Sequence, residues 1–194
     1  QTVCILTVLQ VLLVHYTDKD KIISRVIWIT GLSGSGKTTL GIKISNTLKD
    51  KGSAVVYLDG DQLREVFGAD AYTKKNYNKD VRFLLAMRYA HLCRILSEQN
   101  ITVVIATISM FSEVYKWNRE NLPNYFEIYL KVPIAELRNR DPKGIYHSYD
   151  SGKLRHVFGL DIDVDEPKSP DLLFDYSKKK YTTDEMTVQI LDKV

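Results

Sequence analysis

The sequence of 194 residues predicts an α/β fold in which a parallel β-sheet is flanked by helices on both faces. Short runs rich in β-branched and aromatic residues alternate along the chain with longer stretches whose apolar residues recur every three or four positions. A glycine-rich segment follows the first of these runs, and an acidic segment follows the second. Because ligands bind beyond the carboxyl ends of the strands in open α/β sheets, these two segments predict a site at that edge.

The first predicted unit is a strand followed by a helix. Residues 25–30 (RVIWIT) form a short apolar run that ends at a glycine turn, which is typical of a buried strand. Leu40, Ile44 and Leu48 then recur every four positions, as on the inner face of a helix, and the pattern ends at Gly52. This order of strand, glycine turn and helix sets the direction of the predicted sheet.

The remaining elements continue the alternation. A long helix is predicted over about residues 78–99, and a last helix is predicted to be capped by Thr183, with Asp184 and Glu185 in its first turn. Further strands are predicted at residues 54–58, 101–108, 126–132 and 171–175. The inner face of the long helix is predicted to carry Val81, Leu84, Leu85, Leu92 and Leu96, and the last helix to carry Met186, Ile190 and Leu191.

These elements predict a single domain over residues 21–194. Residues 1–20 are an N-terminal apolar segment of uncertain structure, whose apolar run is shorter than the roughly 20 residues that cross a bilayer. The stretch of about residues 141–170 breaks the alternation and is rich in Gly, Pro, Asp and Lys. Because so long a stretch inside a compact domain usually has a function, it is predicted to be a mobile lid.

Charge and cysteine content exclude several classes of protein. Lys and Arg number 27 against 24 Asp and Glu, and the two signs are interspersed, so neither nucleic acid nor a membrane surface is expected as a partner. Neither Cys4 nor Cys93 has a His or Cys at metal-ligand spacing, so neither a disulfide framework nor a zinc site is predicted. We therefore expect a cytoplasmic protein that works in a reducing environment.

The segment GLSGSGKT, residues 31–38, satisfies the pattern G-x-x-x-x-G-K-[ST] in full and lies between a predicted strand and a predicted helix. Its glycines allow a tight turn with inward-pointing N–H groups, and the helix N-terminus adds positive potential. Lys37 is predicted to pair with the β- and γ-phosphates of ATP, and Thr38 to bind Mg²⁺ through its hydroxyl. The chain has no Asn-Lys-x-Asp motif, and the strand at residues 101–108 has no terminal Asp, which argues against a GTPase or a motor protein. The segment predicts a P-loop NTPase fold of the kinase type.

The segment LDGDQLR, residues 58–64, places two carboxylates and an arginine at the end of the second predicted strand. There it would face the same crevice as the phosphate-binding loop. One carboxylate can help to hold hydrated Mg²⁺, and the other can accept a proton from an attacking hydroxyl. An alternative interpretation is an Asp-Gly turn of solvated charges.

Three segments together, WITGLSGSGKTTL, LDGDQLR and RDPKGIY at residues 140–146, resemble in order and spacing the adenylylsulfate (APS) kinases, which phosphorylate the ribose 3′-hydroxyl of APS. The resemblance covers roughly residues 25–175. It implies a P-loop kinase with a parallel sheet and a mobile lid, ATP and Mg²⁺ as cofactors, a small-molecule nucleotide as substrate, and a homodimer.

The resemblance also implies roles for individual residues. It makes Asp61 the base for the 3′-hydroxyl and lets Asp59 order the magnesium together with Thr38. Lys37 is implied to act on the transferring phosphate. Arg138 and Arg140 fall where kinase lids often place cations that neutralise that phosphate, with a plain surface charge as the alternative for Arg138. The ATP phosphates are implied to lie against Gly31, Leu32, Ser33, Gly34, Ser35, Gly36, Lys37, Thr38 and Thr39. The acceptor is implied to contact Asp61, Arg64, Tyr72, Tyr77, Asp80, Ile108, Ser109, Met110, Lys143, Val157 and Phe158.

The sequence departs from the family pattern around the acceptor. Tyr77 and Asp80 stand where the family has Arg and Asn, and Met110 replaces a proline. Val157 stands where the family has the second of two aromatic rings that stack on the base, although Phe158, the next residue, could rotate in and restore it. Losing one stacking face weakens or reshapes the clamp on the base.

Three functions therefore stay open at this point. Adenylylsulfate is the first expectation for the acceptor, which would give 3′-phosphoadenylylsulfate in sulfate assimilation. The alternative is cytidine diphosphoramidate, which resembling enzymes phosphorylate in surface-polysaccharide biosynthesis. A third interpretation, from a different class, is a nucleotide-binding module without turnover, against which the intact Lys37, Thr38, Asp59 and Asp61 argue.

Overall fold

A computed structural model of the chain describes residues 24–67 and 78–194. Its strands are β1 (Val26–Thr30), β2 (Val55–Asp59), β3 (Thr102–Ala106), β4 (Phe126–Lys131) and β5 (Leu172–Asp175). Its helices are α1 (Lys37–Asp50), α2 (Gly60–Val66), α3 (Lys79–Ser97), α4 (Ser112–Asn121), α5 (Ile134–Arg140), α6 (Ile145–Asp150) and α7 (Thr183–Leu191).

The strands form one parallel five-stranded sheet in the order β2-β3-β1-β4-β5. In the central strand β1, Trp28 lies beside Ile105 of β3 and Glu127 of β4. All five residues of β1 and of β3 are buried, as expected of strands covered on both faces. The predicted α/β fold with a parallel sheet and flanking helices is confirmed.

The predicted strands and long helices agree with the observed ones to within a few residues. Leu40 and Ile44 of α1 are fully buried against the sheet. The prediction for Leu84 in α3 was wrong, because this side chain is 52% exposed. A helix of 3.6 residues per turn presents Leu85 and Tyr89 to the sheet at a spacing of four, which turns Leu84 outward.

The cap of the last helix lies one residue earlier than predicted. The side chain of Thr182, and not of Thr183, accepts a hydrogen bond from the Glu185 N–H at 3.2 Å, and the Glu185 carboxylate accepts one from the Thr182 N–H at 2.8 Å. This reciprocal pair is a capping box. Met186 and Ile190 are buried as predicted.

The segment predicted to be a lid contains more apolar anchors than its composition indicated. It includes α6, in which Tyr146 is 1% exposed and donates from its hydroxyl to the carbonyl of Ser33 at 3.0 Å. Val157 and Phe158 are also buried. The segment is thus packed directly onto the glycine-rich loop, and its mobility stays a prediction.

Two further expectations concern the termini and the cysteines. Cys93 is buried in α3, and burial raises the pKa of its thiol above the ordinary range. Cys4 and the apolar segment of residues 1–20 lie outside the described residues. Over residues 24–67 and 78–194, none of the helices is long and apolar enough to cross a membrane.

Glu127 of β4 is a buried carboxylate beneath α4. Its side chain is 2% exposed, and its Oε2 accepts a hydrogen bond from Arg119 at 2.7 Å. Within the part of the chain that the structure describes, its Oε1 has no hydrogen-bond partner. Burial raises the pKa of Glu127 to about 7, although the Arg119 charge opposes the rise.

We expect this carboxyl to make stability fall with rising pH. Because its pKa in the folded protein lies above its ordinary value, the folded state binds the proton more tightly than the unfolded chain between about pH 4.5 and pH 7. The contribution of Glu127 to the free energy of unfolding therefore decreases across that window and is constant above it. Urea unfolding at a series of pH values should show that Glu127→Gln removes the slope.

Glu166→Gln is the matched control, since this carboxylate pairs with Lys131 but is 49% exposed. It should leave the slope in place. An equal slope in the wild type and in Glu127→Gln would contradict the prediction.

Candidate active site

The loop between β1 and α1 has the backbone geometry of an anion cradle. Gly31, Gly34 and Gly36 have φ values of 148°, 77° and 98°, which other residues rarely adopt. A Cβ at Gly31 would lie 2.6 Å from the carbonyl oxygen of Leu130, so this position also excludes larger residues by contact. Gly36 precedes α1 without a side-chain cap, which leaves the amides of the first helical turn to an external acceptor.

The amine of Lys37 is folded back onto this loop. It donates to the carbonyl of Leu32 at 2.7 Å and to the hydroxyl of Ser35 at 3.3 Å. Burial lowers the pKa of Lys37 to about 7, and the nearby charge of Lys143 adds to the effect. An anionic group in the cradle would therefore stabilise the charged form of this amine.

Thr38 and Asp59 bring two oxygen ligands together. The Thr38 hydroxyl donates to Oδ2 of Asp59 at 2.9 Å, and the Tyr57 hydroxyl donates to the same oxygen at 3.0 Å. Hydroxyl and carboxylate oxygens suit Mg²⁺, which usually retains several waters and binds substrate phosphates. In residues 24–67 and 78–194, His, Cys, Asp and Glu side chains form no group of three or more that could hold a metal alone. The residues therefore fit a cation that is shared with phosphate oxygens.

Asp61 lies in the first turn of α2, between the cationic side chains of Arg64 and Lys143. It accepts a hydrogen bond from Arg64 at 2.8 Å and forms a close ion pair with Lys143 from the predicted lid. Burial alone would raise the pKa of Asp61, but the Lys143 hydrogen bond and the charges of Arg64, Lys143 and Lys37 outweigh it and lower the pKa. Its backbone N–H donates to Oδ1 of Asp59 at 2.9 Å, so the two carboxylates are positioned together.

Arg140 ends α5 beside the loop. It pairs with Glu136 at 3.1 Å, and its guanidinium lies 5.0 Å from the ring centre of Tyr176. Arg138, two residues earlier, instead pairs with Asp150 at the surface at 2.9 Å. Of these two arginines, Arg140 lines the central cavity.

One cavity of about 770 Å³ joins the glycine-rich loop, the carboxylate pair and the predicted lid. The residues implied by the family resemblance that line it are Ser33, Gly34, Gly36, Lys37, Thr38, Thr39, Asp59, Asp61, Arg64, Ile108, Ser109, Arg140, Lys143, Val157 and Phe158.

Other predicted residues lie elsewhere. Met110 is 1% exposed and packs with Tyr115 and Tyr129, so its position does not support contact with an acceptor. Asp80 is exposed in the first turn of α3 and is not part of the cavity wall. Three residues of the glycine-rich loop are not part of the cavity wall, namely Gly31, Leu32 and Ser35. Leu32 and Ser35 instead accept hydrogen bonds from Lys37. Tyr72 and Tyr77 lie outside the described residues.

Several wall residues were not predicted. Tyr57 could have been found, because a strand of period two places it on the same face as Asp59. Thr107 is a second such residue, and its hydroxyl lies 2.8 Å from that of Ser109. A Cβ added at Gly60 would lie 2.9 Å from the same Thr107 hydroxyl. No sequence pattern indicates this close packing. Arg82, which the sequence retains from an arginine pair of the family pattern, lines the cavity as well, although it was not among the residues assigned to the acceptor.

A phosphate-binding loop on a parallel sheet, with a carboxylate pair and a lysine from a second segment around one cavity, defines a P-loop kinase. The chain belongs to the adenylylsulphate kinase family, whose family model matches residues 23–175. It is accordingly an ATP-dependent phosphotransferase that acts on an alcohol group.

The relatives within this family differ in their acceptors. The chain is 42% identical over 144 residues to the cytidine diphosphoramidate kinase of Campylobacter jejuni, and the aligned region covers 74% of this chain and 82% of that protein. It is 35% identical over 149 residues to the adenylyl-sulfate kinase of Deinococcus deserti, covering 76% of this chain and 80% of that protein. Among solved structures, the Mycobacterium tuberculosis APS kinase in complex with AMPPNP and APS is similar with a TM-score of 0.78 and 29% identity, over 87% of this chain and 96% of that one.

Proposed function

We propose that the protein transfers the γ-phosphate of MgATP to the ribose 3′-hydroxyl of cytidine diphosphoramidate. The observation that carries this choice is the 42% identity to the Campylobacter jejuni cytidine diphosphoramidate kinase, against 35% or less for the similar adenylyl-sulfate kinases. It reverses the order of the two acceptors that the sequence motifs favoured. The aliphatic Val157 in the cavity wall agrees with it, because a pyrimidine needs a smaller clamp than a purine.

In this proposal the loop amides and Lys37 hold the donor's phosphates. Thr38 and Asp59 would hold Mg²⁺. The bound cation would neutralise part of the negative charge of the phosphates. Arg140 would add positive charge from the side of α5.

Asp61 is the proposed base. The acceptor's 3′-oxygen attacks the γ-phosphorus in line, the bond from phosphorus to the β,γ-bridging oxygen breaks, and ADP leaves with that oxygen. The proton of the 3′-hydroxyl goes to the Asp61 carboxylate. For this to occur, Lys143 must leave its ion pair with Asp61, and the donor's phosphates would attract it. Arg64, which also bonds Asp61, is placed to contact the acceptor's own phosphate.

Adenylylsulfate is the second candidate acceptor. The family match over residues 23–175 and the similarity to several adenylyl-sulfate kinases favour it. The homodimer implied by the family resemblance also belongs to the proposal, and light scattering after gel filtration measures it directly.

An acceptor panel tests the proposal. Purified protein with MgATP should release ADP in the presence of cytidine diphosphoramidate, and mass spectrometry should find one added phosphate on the nucleotide. Adenylylsulfate and the protein without acceptor are the comparison arms. Turnover of adenylylsulfate without turnover of the cytidine compound would overturn the proposed acceptor, and tight ATP binding with neither reaction would favour a binding module.

A further inference from the structure

A tyrosine of the predicted lid is bonded to a turn in the middle of the glycine-rich loop. The N–H of Ser35 donates to the carbonyl of Leu32 at 3.2 Å, which closes a four-residue β-turn with Ser33 and Gly34 at its centre. The φ of Gly34 is 77°, as the third residue of a type II turn requires. Tyr146 of α6 donates from its hydroxyl to the carbonyl of Ser33 at 3.0 Å. The predicted lid therefore contacts the central peptide of this turn.

The central peptide is the part of a β-turn that reorients most easily. Turns of types I and II differ mainly in the direction in which this peptide faces. Glycine adopts positive and negative φ about equally readily, so Gly34 allows both orientations at little cost. A contact from outside the turn can therefore select one of them.

The bond from Tyr146 fixes the direction of the Gly34 N–H. Because the peptide unit is planar and trans, its C=O and its N–H point in opposite directions. The Ser33 carbonyl points toward Tyr146, which lies outside the cavity wall, so the Gly34 N–H points to the opposite side. Ser33 and Gly34 themselves line the cavity. The N–H is thus directed to the place where the loop is proposed to hold the donor's phosphates.

Tyr146 is itself held firmly from several sides. Its side chain is 1% exposed and packs with Val132 and Leu137. Its backbone N–H donates to the Asp141 carboxylate at 3.2 Å, and the same carboxylate accepts from the His147 N–H at 2.9 Å. Burial raises the pKa of Tyr146 to about 12, so the hydroxyl keeps its proton at neutral pH. A fixed and protonated phenol is well suited to hold a backbone carbonyl.

We propose that Tyr146 is a positioning residue of the donor site, whose hydroxyl holds the Ser33–Gly34 peptide with its N–H directed at the phosphates of the nucleotide. The inference rests on the part of the proposed function in which the loop binds the phosphates of ATP, and it does not depend on the identity of the acceptor. Without the hydroxyl, the peptide would populate both orientations. The apparent affinity for the nucleotide would then fall with the fraction of the protein that is competent to bind.

Tyr146→Phe tests this role, because it keeps the buried ring and removes only the hydroxyl. Calorimetric titration with MgADP, which does not require turnover, should give a dissociation constant about fivefold higher than that of the wild type. At saturating ATP, kcat and the KM for the acceptor should stay within about twofold, because bound nucleotide restores the competent orientation. In NMR spectra of the ligand-free protein, exchange broadening of the Gly34 amide should be greater in Tyr146→Phe than in the wild type, and MgADP should remove the difference.

Tyr149→Phe is the matched control. It removes a hydroxyl from the same helix, and the Tyr149 ring lies 5.8 Å from the guanidinium of Arg155. This variant should change none of the measured quantities.

A dissociation constant of Tyr146→Phe within about twofold of the wild type would overturn the inference, whatever its melting temperature, because a hydroxyl with only a structural role affects stability alone. Equal broadening of the Gly34 amide in the two proteins would overturn it as well, since the hydroxyl would then act by another route. Failure of the wild type to bind MgADP would contradict the proposed function itself, and the inference with it.

Discussion

Asp61→Asn is expected to lower kcat for phosphoryl transfer by about 10²- to 10⁴-fold while ATP binding stays within about twofold. Asparagine has nearly the same shape but cannot take the proton of the 3′-hydroxyl. The position of Asp61 explains the separation of the two effects. It lies in α2, bonded to Arg64 and Lys143, whereas the loop amides and Lys37 that are proposed to hold ATP belong to the β1–α1 connection.

The control for this variant is Glu65→Gln, which removes an exposed carboxylate from the same helix. It should retain wild-type kcat. Initial rates of ADP release with the acceptor at saturation measure kcat, and calorimetry measures ATP binding. A kcat within about threefold of the wild type for Asp61→Asn would remove Asp61 from the role of base.

Lys37→Met is expected to lower kcat/KM by about 10²- to 10³-fold, as the loss of one positioned cation at a phosphate usually does. The fold should survive, because methionine has a similar length and the partly buried amine is costly to keep charged, as its lowered pKa of about 7 shows. Circular dichroism and thermal unfolding should therefore give a folded protein with a melting temperature close to that of the wild type.

The lowered pKa of Lys37 also predicts that the protein takes up protons when ATP binds. With a pKa of about 7 in the free protein, a part of Lys37 is neutral at neutral pH, and phosphate binding favours its charged form. ATP affinity should therefore decrease as pH rises above about 7. Calorimetry at about pH 8, in buffers of different ionisation enthalpy, measures the proton taken up, since ATP itself is then fully ionised.

Lys43→Met is the matched control for both measurements, because Lys43 lies on the same helix but pairs with Asp184 at the surface. It should retain activity and proton uptake. Equal uptake in Lys37→Met and in the wild type would assign the proton to another group.

The elements of the sheet were predictable from local sequence because each depends on a short pattern. The apolar runs of β1 and β3 are buried on both faces and contain few polar residues, so their boundaries are clear. The outward position of Leu84 was not predictable, because Leu84 and Leu85 fit the apolar pattern equally well and only packing against the sheet selects one of them. The contact of Met110 with the acceptor stays a prediction: its place in the family motif indicates a substrate loop, and packing places its side chain beside Tyr115 and Tyr129.

The sequence by itself determined the phosphate chemistry of this protein. A P-loop is made from contiguous residues, and the glycines of GLSGSGKT determine its backbone angles and the directions of its amides. Its phosphate-binding function can therefore be predicted before the tertiary structure is known. The tertiary structure decided what surrounds the transferring phosphate. Lys143 meets Asp61 across 82 positions of the chain, and Arg82 meets His156 across 74. Such contacts arise from the packing of the predicted lid onto α2 and α3, and no local periodicity encodes them. The family resemblance could therefore name residues for the acceptor side, but only the folded chain gave the contacts between them.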